Sequence, residues 1–282
     1  MKLVAVLVWY DEDPQLLYET VSRLGQIPVD ALVAVDGARE LYPGATGSSS
    51  PSNHAAIAEA ARMVGMPATI HSPARPWEGS GEVTQRSFAL RLAEALTEPD
   101  DWFLVVDADH ILERVDSSFR GRLEACDKEV ATYALVQRAR KVAELSPLER
   151  EVIAAHADEW PGTVDAPEVE PLRMLYRARR GLRYGPLHWE LTGPKGKLWG
   201  LGTDALLPAE DLTEVIIFEH AWDHRTEDRL RAALEYYKRR DEAGLENAEV
   251  LAAARAIKAQ NAPQYLTEDP ADPPVASDGS GS

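Results

Sequence analysis

Residues 102–112 read WFLVVDADHIL, and the rest of the chain is interpreted outward from them. The first five are apolar and favour a β-strand, and the turn-prone segment EPDD precedes them at residues 98–101. A continuous apolar run of this kind is typical of a strand that is buried on both faces of a sheet. The run ends in Asp107-Ala108-Asp109. Because side chains two positions apart in a strand point to the same face, both carboxylates are predicted to lie together at the strand's carboxyl end.

Two neighbouring carboxylates repel each other unless a positive charge lies between them. A hard divalent cation is the usual solution in proteins. The carboxyl edge of an open α/β sheet is also the place where such folds bind their ligands. Asp107 and Asp109 are therefore predicted to form a metal site. An Asp-rich turn that caps the next element is the structural alternative, and the motif by itself leaves it open.

The composition limits the class of protein. The chain has 282 residues, with 30 Lys and Arg against 47 Asp and Glu, and its net charge is −17. This balance disfavours a general binder of nucleic-acid backbone or of anionic membranes. Cys126 is the single cysteine, which excludes an intrachain disulfide and a cysteine-based zinc site. No apolar segment reaches transmembrane length, so we expect a cytoplasmic protein with no membrane span.

Strands and helices alternate in the first part of the chain. Strands are predicted at residues 3–9, 31–35 and 68–71, and helices at residues 15–24, 55–64 and 82–96. This βαβ order implies the α/β class, with a mostly parallel, Rossmann-like sheet flanked by helices. Asp13 and Pro14 are predicted to cap the first helix as N-cap and first helical residue. The segment 39–53, rich in Gly and Ser, is expected to be an exposed, mobile loop.

The third predicted helix, residues 82–96, has an amphipathic pattern. Its inward side is expected to carry the apolar residues Val83, Phe88, Leu92 and Leu96.

Beyond Asp109 the pattern is looser. Strands are predicted at residues 129–136, 172–176, 183–191 and 214–218, and helices at residues 146–157, 226–239 and 247–259. A capping box opens the helix at 146–157, with Ser146 as N-cap and Glu149 three positions on. From residue 261 onward Pro, Asp, Gly and Ser dominate, which predicts a disordered tail.

Four segments, in this order, resemble the GT-A glycosyltransferases, specifically the large family 2 of nucleotide-sugar-dependent enzymes. They are VLVWYDEDPQLLYETVSRL at 6–24, ALVAVDGA at 31–38, EVTQRSFALRLA at 82–93 and WFLVVDADHIL at 102–112. The ordered set is more specific than any one segment. The resemblance implies a GT-A fold with a nucleotide-sugar-binding half at 1–112 and an acceptor-side half at 113–225. C-terminal helices at 226–260 and the tail at 261–282 would follow.

The resemblance also implies roles in donor binding for residues at the predicted sheet edge. Tyr10 would flank the nucleotide base, and Asp36 would accept a hydrogen bond from uracil N3–H. Arg86 would face the diphosphate or the base. Asp107 would contact the ribose and a water on the metal, and Asp109 would bind the metal itself.

Each of these roles has a structural alternative. The alternative for Tyr10 is an exposed turn aromatic, and the alternative for Asp36 is a helix or turn cap before Gly37. Arg86 is otherwise a solvated charge on a helix. The sequence also departs from the family pattern, because Asp11 stands where the family has Asn and only Asp36-Gly37 remains of an acidic pair.

His220 closes the segment VIIFEH, and the resemblance implies that it is a third metal ligand. An imidazole donor suits Mn²⁺ better than Mg²⁺. His224 is the fallback ligand, and a histidine at the edge of the core is the structural alternative for His220.

The activity implied by the resemblance is transfer of a sugar from a UDP-sugar to a hydroxyl acceptor, with inversion; retention of configuration is the open alternative, because the core motif serves both outcomes. Inverting chemistry needs a carboxylate that takes the proton of the acceptor. The candidates are Glu190, Asp204 and Asp211. Glu190 is preferred because it lies next to a predicted strand, beside His188 and Trp189, although an ordinary surface carboxylate is its alternative.

Two other functions use the same features. A nucleotidyltransferase also needs paired carboxylates at a nucleotide-binding edge, but it usually has a Gly-rich, basic loop after its first strand, where this chain has YDEDPQ. A non-catalytic nucleotide-sugar-binding module would keep Tyr10 and Asp36 and lack a base. For a transferase, the acceptor stays open among a protein, a glycan, a lipid head group and a modified nucleic-acid base.

Overall fold

The structure is a computed structural model that describes residues 1–78, 81–137, 145–155, 168–185, 190–199, 206–221 and 226–243. Some of the predictions lie outside the described residues: the helix at 247–259, the tail from 261, and His188, Trp189, Asp204 and His224.

The strands are β1 (Leu3–Val8), β2 (Ala31–Val35), β3 (Ala68–His71), β4 (Trp102–Asp107), β5 (His110–Val115), β6 (Val130–Gln137), β7 (Glu168–Arg177), β8 (Arg183–Tyr184), β9 (Leu191–Gly193), β10 (Gly196–Trp199), β11 (Ala209–Asp211) and β12 (Ile216–His220). The helices are α1 (Pro14–Leu24), α2 (Pro51–Met63), α3 (Glu82–Glu94), α4 (Phe119–Ala125), α5 (Pro147–Ala155) and α6 (Glu227–Ala243).

Within the described ranges, nine strands form one mixed sheet in the order β3-β2-β1-β4-β7-β6-β12-β5, and β11 pairs with β6. The first four strands of this order run parallel, β7 is antiparallel to both of its neighbours, and β5 is antiparallel to β12. Strands β8, β9 and β10 form a second, three-stranded sheet. The α/β class with a mostly parallel sheet and flanking helices is therefore confirmed. No helix in these ranges combines the length and apolarity needed to cross a bilayer.

The central strands β1 and β4 are buried along almost their whole length, which is why their sequences are continuously apolar. Trp102 and Phe103 at the start of β4 are fully buried. In the register of the sheet, Val8 pairs with Val35 on one side and with Asp107 on the other. The carboxyl ends of β1, β2 and β4 therefore meet at one edge.

The predicted helix caps are confirmed. Asp13 Oδ1 accepts a hydrogen bond of 2.8 Å from the backbone N–H of Gln15, and Pro14 is the first residue of α1. At α5, the N–H of Glu149 donates to Ser146 Oγ over 3.2 Å, and the N–H of Ser146 donates to Glu149 Oε2 over 2.7 Å. The reciprocal bonds of a capping box are thus formed.

The predicted inward face of α3 is confirmed in part, since Val83, Phe88 and Leu92 pack against the hydrophobic core. The residues of α3 that are buried are Glu82, Gln85, Arg86, Ala89, Leu90 and Ala93. Val83, Phe88 and Leu92 are only half-buried, and Leu96 lies beyond the end of the helix and is exposed. Gln85 is among the buried residues because its Nε2 donates to the backbone oxygens of Trp9 and Val35, both over 3.0 Å. A polar side chain is buried there because it satisfies carbonyl groups just beyond β1 and at the end of β2.

The segment 39–53 is more ordered than its composition predicts. Helix α2 begins within it at Pro51, and both Ser49 and Asn53 are buried. Asn53 Nδ2 donates to the backbone oxygen of Glu12 over 2.6 Å. The end of the segment therefore packs against the turn after β1. The expectation of an exposed loop was wrong for the buried residues Ser49 and Asn53.

Candidate functional site

A cluster of one carboxylate and two imidazoles lies at the carboxyl end of β4. The chain turns at Ala108 and Asp109 and returns as β5, which pairs with β12 so that His110 is opposite His220. His220 Nε2 is 3.0 Å from Asp109 Oδ2, and His110 Nε2 is 4.0 Å from Asp109 Oδ1. The ligand atoms of Asp109, His110 and His220 all lie within 4.8 Å of one another. These three residues form a candidate metal centre.

Backbone contacts fix the turn that carries Asp109. Thr20, fully buried on α1, donates its hydroxyl to the backbone oxygen of Ala108 over 2.8 Å. On the other side, the N–H of Ala221 donates to the backbone oxygen of Asp109 over 2.7 Å. The turn is thus attached both to the first helix and to the end of β12.

The distances from Asp109 to the two imidazoles are compatible with a shared transition-metal ion. First-row metals bind nitrogen and oxygen at about 2.0–2.2 Å, so two donors on one ion lie at most about 4.4 Å apart. The distances of 3.0 Å and 4.0 Å from Asp109 to His220 and His110 satisfy this limit. Imidazole together with carboxylate is a donor set that suits manganese, iron and zinc.

His110 is held from behind by a tyrosine. His110 Nδ1 lies 2.9 Å from the hydroxyl of Tyr133, which is fully buried on β6. Burial lowers the pKa of His110, and burial raises the pKa of Tyr133 well above its usual value. Both groups are therefore neutral near pH 7, the state in which an imidazole can bind a metal.

Asp107 has a different partner from Asp109. Arg86 Nη2 on α3 lies 2.6 Å from Asp107 Oδ1 and 2.9 Å from Glu82 Oε1. Burial alone would lower the pKa of Arg86, but the two carboxylates outweigh it and raise that pKa well above its usual value. The charge that compensates Asp107 in this structure is thus a guanidinium, and Asp107 is not part of the cluster around Asp109.

The ion pairs continue toward β2. Arg39, three residues beyond Asp36, places Nη2 at 2.5 Å from Glu82 Oε2. The guanidinium of Arg39 also lies over the ring of Tyr236 on α6, 5.1 Å from its centroid. A chain of alternating charges therefore runs along the sheet edge from the end of β2 to the end of β4.

Tyr10 lies in a turn that α6 holds in place. Arg229 of α6 donates to the backbone oxygens of Tyr10 and Asp11 over 3.0 Å and 2.8 Å, and it forms an ion pair with Glu12. Asp11 has a positive φ of 46°, a conformation that these bonds help to maintain. The ring of Tyr10 packs edge-on against Tyr42, with centroids 5.3 Å apart, and it is half-exposed at the sheet edge.

Asp36 reaches the same edge but is fully buried. Its Oδ1 accepts from Ser49 Oγ over 2.5 Å, and its Oδ2 accepts from the N–H of Ser49 over 2.7 Å. His54 Nε2 lies 2.7 Å from the same Oδ2. The carboxylate therefore anchors the segment before α2 through residues that lie 13 and 18 positions away, which is not the local cap before Gly37 of the structural alternative, and contact with a base stays a prediction.

The three candidate bases differ in position. Glu190 precedes β9 in the small sheet, and Lys197 Nζ lies 2.8 Å from its Oε1. The backbone oxygen of Glu190 accepts from the N–H of Gly185, the residue after Tyr184. Burial raises the pKa of Tyr184 to about 12, with Arg86 and Asp107 close enough to affect it. The small sheet thus adjoins the Arg86–Asp107 pair.

Asp211 lies elsewhere. It pairs with Thr132 near the amino end of β6, whereas the candidate metal centre adjoins the carboxyl end of that strand. Hydrogen bonds from the N–H and hydroxyl of Thr213 lower the pKa of Asp211 and use its Oδ1 in a turn. The structure does not bring Asp211 together with the other candidates, and Asp204 is outside the described residues.

The comparisons with known proteins give only distant likenesses. No protein-family model matches the chain, and no curated protein matches it. One similar solved structure is a mycobacterial protein, with 16% identity over 83% of this chain and 71% of that one and a TM-score of 0.35. Another, from Bacillus anthracis and in complex with sucrose, is described as a putative glucose-1-phosphate thymidylyltransferase. It has 12% identity over 62% of this chain and 68% of that one, with a TM-score of 0.34. Neither likeness is near enough to say what this chain does.

His110 is the site residue that the sequence analysis missed. The carboxylate pair was interpreted by strand alternation, in which His110 would point away from Asp109. In the structure Asp109 lies in a turn, where that alternation does not hold. The sequence feature that could have indicated His110 is its position directly after the second aspartate of Asp-Ala-Asp.

Proposed function

We propose that this chain is a metal-dependent glycosyltransferase that moves a sugar from a UDP-sugar to a hydroxyl acceptor with inversion. The observation that carries the proposal is the convergence of Asp109 and His220 at the carboxyl end of β4, 3.0 Å apart, beside the Arg86–Asp107 ion pair. Open α/β sheets bind nucleotides at this edge. The ordered resemblance of the four sequence segments to GT-A family 2 supplies the reaction class.

In this proposal Asp109 and His220 hold Mn²⁺, with Mg²⁺ as the weaker alternative. The bound metal would supply positive charge to the departing diphosphate. Asp107 keeps a quarter of its side chain exposed while Arg86 fixes its orientation, so it can accept a hydrogen bond from a ribose hydroxyl. Tyr10, half-exposed at the end of β1, would flank the base.

Glu190 is the proposed general base. Lys197 holds its carboxylate through a 2.8 Å ion pair, and the backbone oxygen of Glu190 accepts from the N–H of Gly185, the residue after Tyr184. A carboxylate held in this way can take the proton of an acceptor hydroxyl as the new bond forms. The net charge of −17 favours a glycan or protein hydroxyl over a nucleic acid as the acceptor.

The competing nucleotidyltransferase activity has less support from the residues at the nucleotide edge. Such an enzyme usually has a basic, Gly-rich loop that holds the triphosphate. The turn after β1 instead carries Asp11, Glu12 and Asp13, with Arg229 fully engaged by backbone oxygens and by Glu12. A triphosphate would meet three carboxylates at this point.

A donor screen tests the proposal. UDP, GDP and ADP are each added with Mn²⁺, and the melting temperature is recorded, because a ligand that binds only the native state stabilises it by mass action. We expect UDP to stabilise the protein, and Mn²⁺-dependent hydrolysis to occur with one or more UDP-sugars. Stabilisation by GDP or ADP without UDP would contradict the donor assignment. Pyrophosphate release from UTP and a sugar 1-phosphate would favour the nucleotidyltransferase instead.

A further inference from the structure

His110 belongs to the candidate metal centre because its ring lies close to both Asp109 and His220. Its ring lies 5.8 Å from that of His220, centroid to centroid, at an interplanar angle of 79°. The two imidazoles approach one carboxylate from different directions, His110 toward Oδ1 and His220 toward Oδ2 of Asp109. Two nearly perpendicular rings around one acidic group provide three donors that a single ion can share.

The contact between Tyr133 and His110 decides which nitrogen of His110 is available. Nδ1 is 2.9 Å from the Tyr133 hydroxyl, so Nε2 is the nitrogen that points to Asp109. Phe218 packs against the ring of Tyr133, with centroids 4.6 Å apart, which fixes the tyrosine in turn. Metal-binding histidines in proteins commonly donate their other ring N–H to a hydrogen-bond acceptor, which sets the tautomer and orientation, and the Tyr133 oxygen lies where it can accept this bond.

We propose that His110 is the third protein ligand of the metal, that Tyr133 is its positioning residue, and that the resulting set selects Mn²⁺ over Mg²⁺. Two imidazoles and one carboxylate favour a transition metal, whereas Mg²⁺ prefers oxygen ligands and keeps several waters. Arg86 separates the roles of the two aspartates. Its ion pair with Asp107 leaves Asp109 as the carboxylate for the metal. The proposal rests on the metal site of the proposed function, but it concerns binding of the metal alone.

The test measures metal binding without any sugar donor. The dissociation constants of Mn²⁺ and Mg²⁺ are determined by calorimetry for the wild type, Tyr133→Phe and His110→Ala. We expect the wild type to bind Mn²⁺ more tightly than Mg²⁺. We expect Tyr133→Phe to weaken Mn²⁺ about 10–100-fold, the usual effect of losing a partner of a metal-bound histidine. His110→Ala should weaken Mn²⁺ at least as much and reduce the preference over Mg²⁺.

Tyr176→Phe is the matched control. Tyr176 is another fully buried tyrosine, on β7, and its hydroxyl donates to the backbone oxygen of Arg173 instead of to the cluster. It should retain the Mn²⁺ affinity of the wild type. Pulsed electron paramagnetic resonance of the Mn²⁺-loaded wild type should detect two coordinated imidazole nitrogens, a readout that does not depend on whether His110→Ala folds.

Three results would overturn the proposal: a single coordinated imidazole in the wild type, Mn²⁺ affinity that Tyr133→Phe leaves unchanged, or no binding of Mn²⁺ by the wild type. The outcomes also separate this proposal from the proposed function. If the wild type binds Mn²⁺ through two imidazoles but transfers no sugar, only the proposed function is refuted. If it transfers sugar while both variants keep their Mn²⁺ affinity, only the role of His110 falls.

Discussion

Arg86 Nη2 lies 2.6 Å from Asp107 Oδ1, and this ion pair joins helix α3 to the end of β4. The same guanidinium donates to Glu82 through Nε over 3.0 Å, so one buried cation serves two carboxylates. The two aspartates of Asp-Ala-Asp therefore have different nearest partners. Arg86 compensates Asp107, and the two imidazoles surround Asp109.

Replacing Arg86 tests this division. Arg86→Met leaves Asp107 without its counter-charge, while Arg39 still reaches Glu82. We expect the free energy of unfolding to fall by roughly 2–4 kcal/mol, somewhat below the usual loss for a buried pair because Asp107 is partly exposed. Urea denaturation measures the effect. Arg91→Met, at an exposed position of the same helix, should change stability by less than about 0.5 kcal/mol. Equal stability of the two variants would show that the ion pair is unimportant.

Asp109→Asn should separate metal binding from folding. The substitution preserves the shape of a side chain that is one-fifth exposed but removes the charge that would hold the cation. We expect the Mn²⁺-dependent transfer rate to fall more than about 100-fold while the melting temperature changes little. Initial rates at fixed Mn²⁺ measure the loss of transfer, and a thermal melt measures the stability. An active Asp109→Asn enzyme would mean that the end of β4 is only an acidic turn.

Glu190→Gln should abolish transfer yet leave the affinity for UDP nearly intact, because proton removal is needed in the transition state and not in nucleotide binding. Transfer assays and UDP titrations on the same preparation measure the two effects. Asp211→Asn serves as the control and should remain active, since Asp211 lies near the amino end of β6. Full activity of Glu190→Gln would move the search for the base to Asp204.

Glu129 gives a pH-dependent prediction about stability. Burial raises its pKa, but hydrogen bonds from Arg179 and Lys195 outweigh burial, and the net pKa is lower than its usual 4.5. A carboxyl whose pKa is lowered by folding stabilises the protein above its unfolded pKa and loses that contribution as the pH falls through its folded pKa. We expect Glu129→Gln to cost about 1–2 kcal/mol at pH 7. Urea denaturation should show this difference shrinking below pH 4.5. A difference that is constant with pH would exclude the ionic origin.

The sequence alone determined the framework of the sheet edge. The continuous apolar runs of β1, β2 and β4 predict strands that are buried on both faces, and the helices between them require parallel crossovers. Polar residues that directly follow such strands must then meet at one edge. Asp36 and Asp107 do so, and the register pairs Val8 with both Val35 and Asp107.

Only the tertiary structure decided how the charged and polar side chains are paired. His110 and His220 meet because β5 pairs with β12, a contact between segments 110 residues apart whose register no local pattern encodes. Hydrophobic periodicity assigns polar residues such as Arg86 and Gln85 to the solvent side of a helix. They are buried because Asp107 and the backbone oxygens of Trp9 and Val35 provide partners for them there. Burial of a charge depends on partners that are distant in sequence, and for that reason it is settled by the fold.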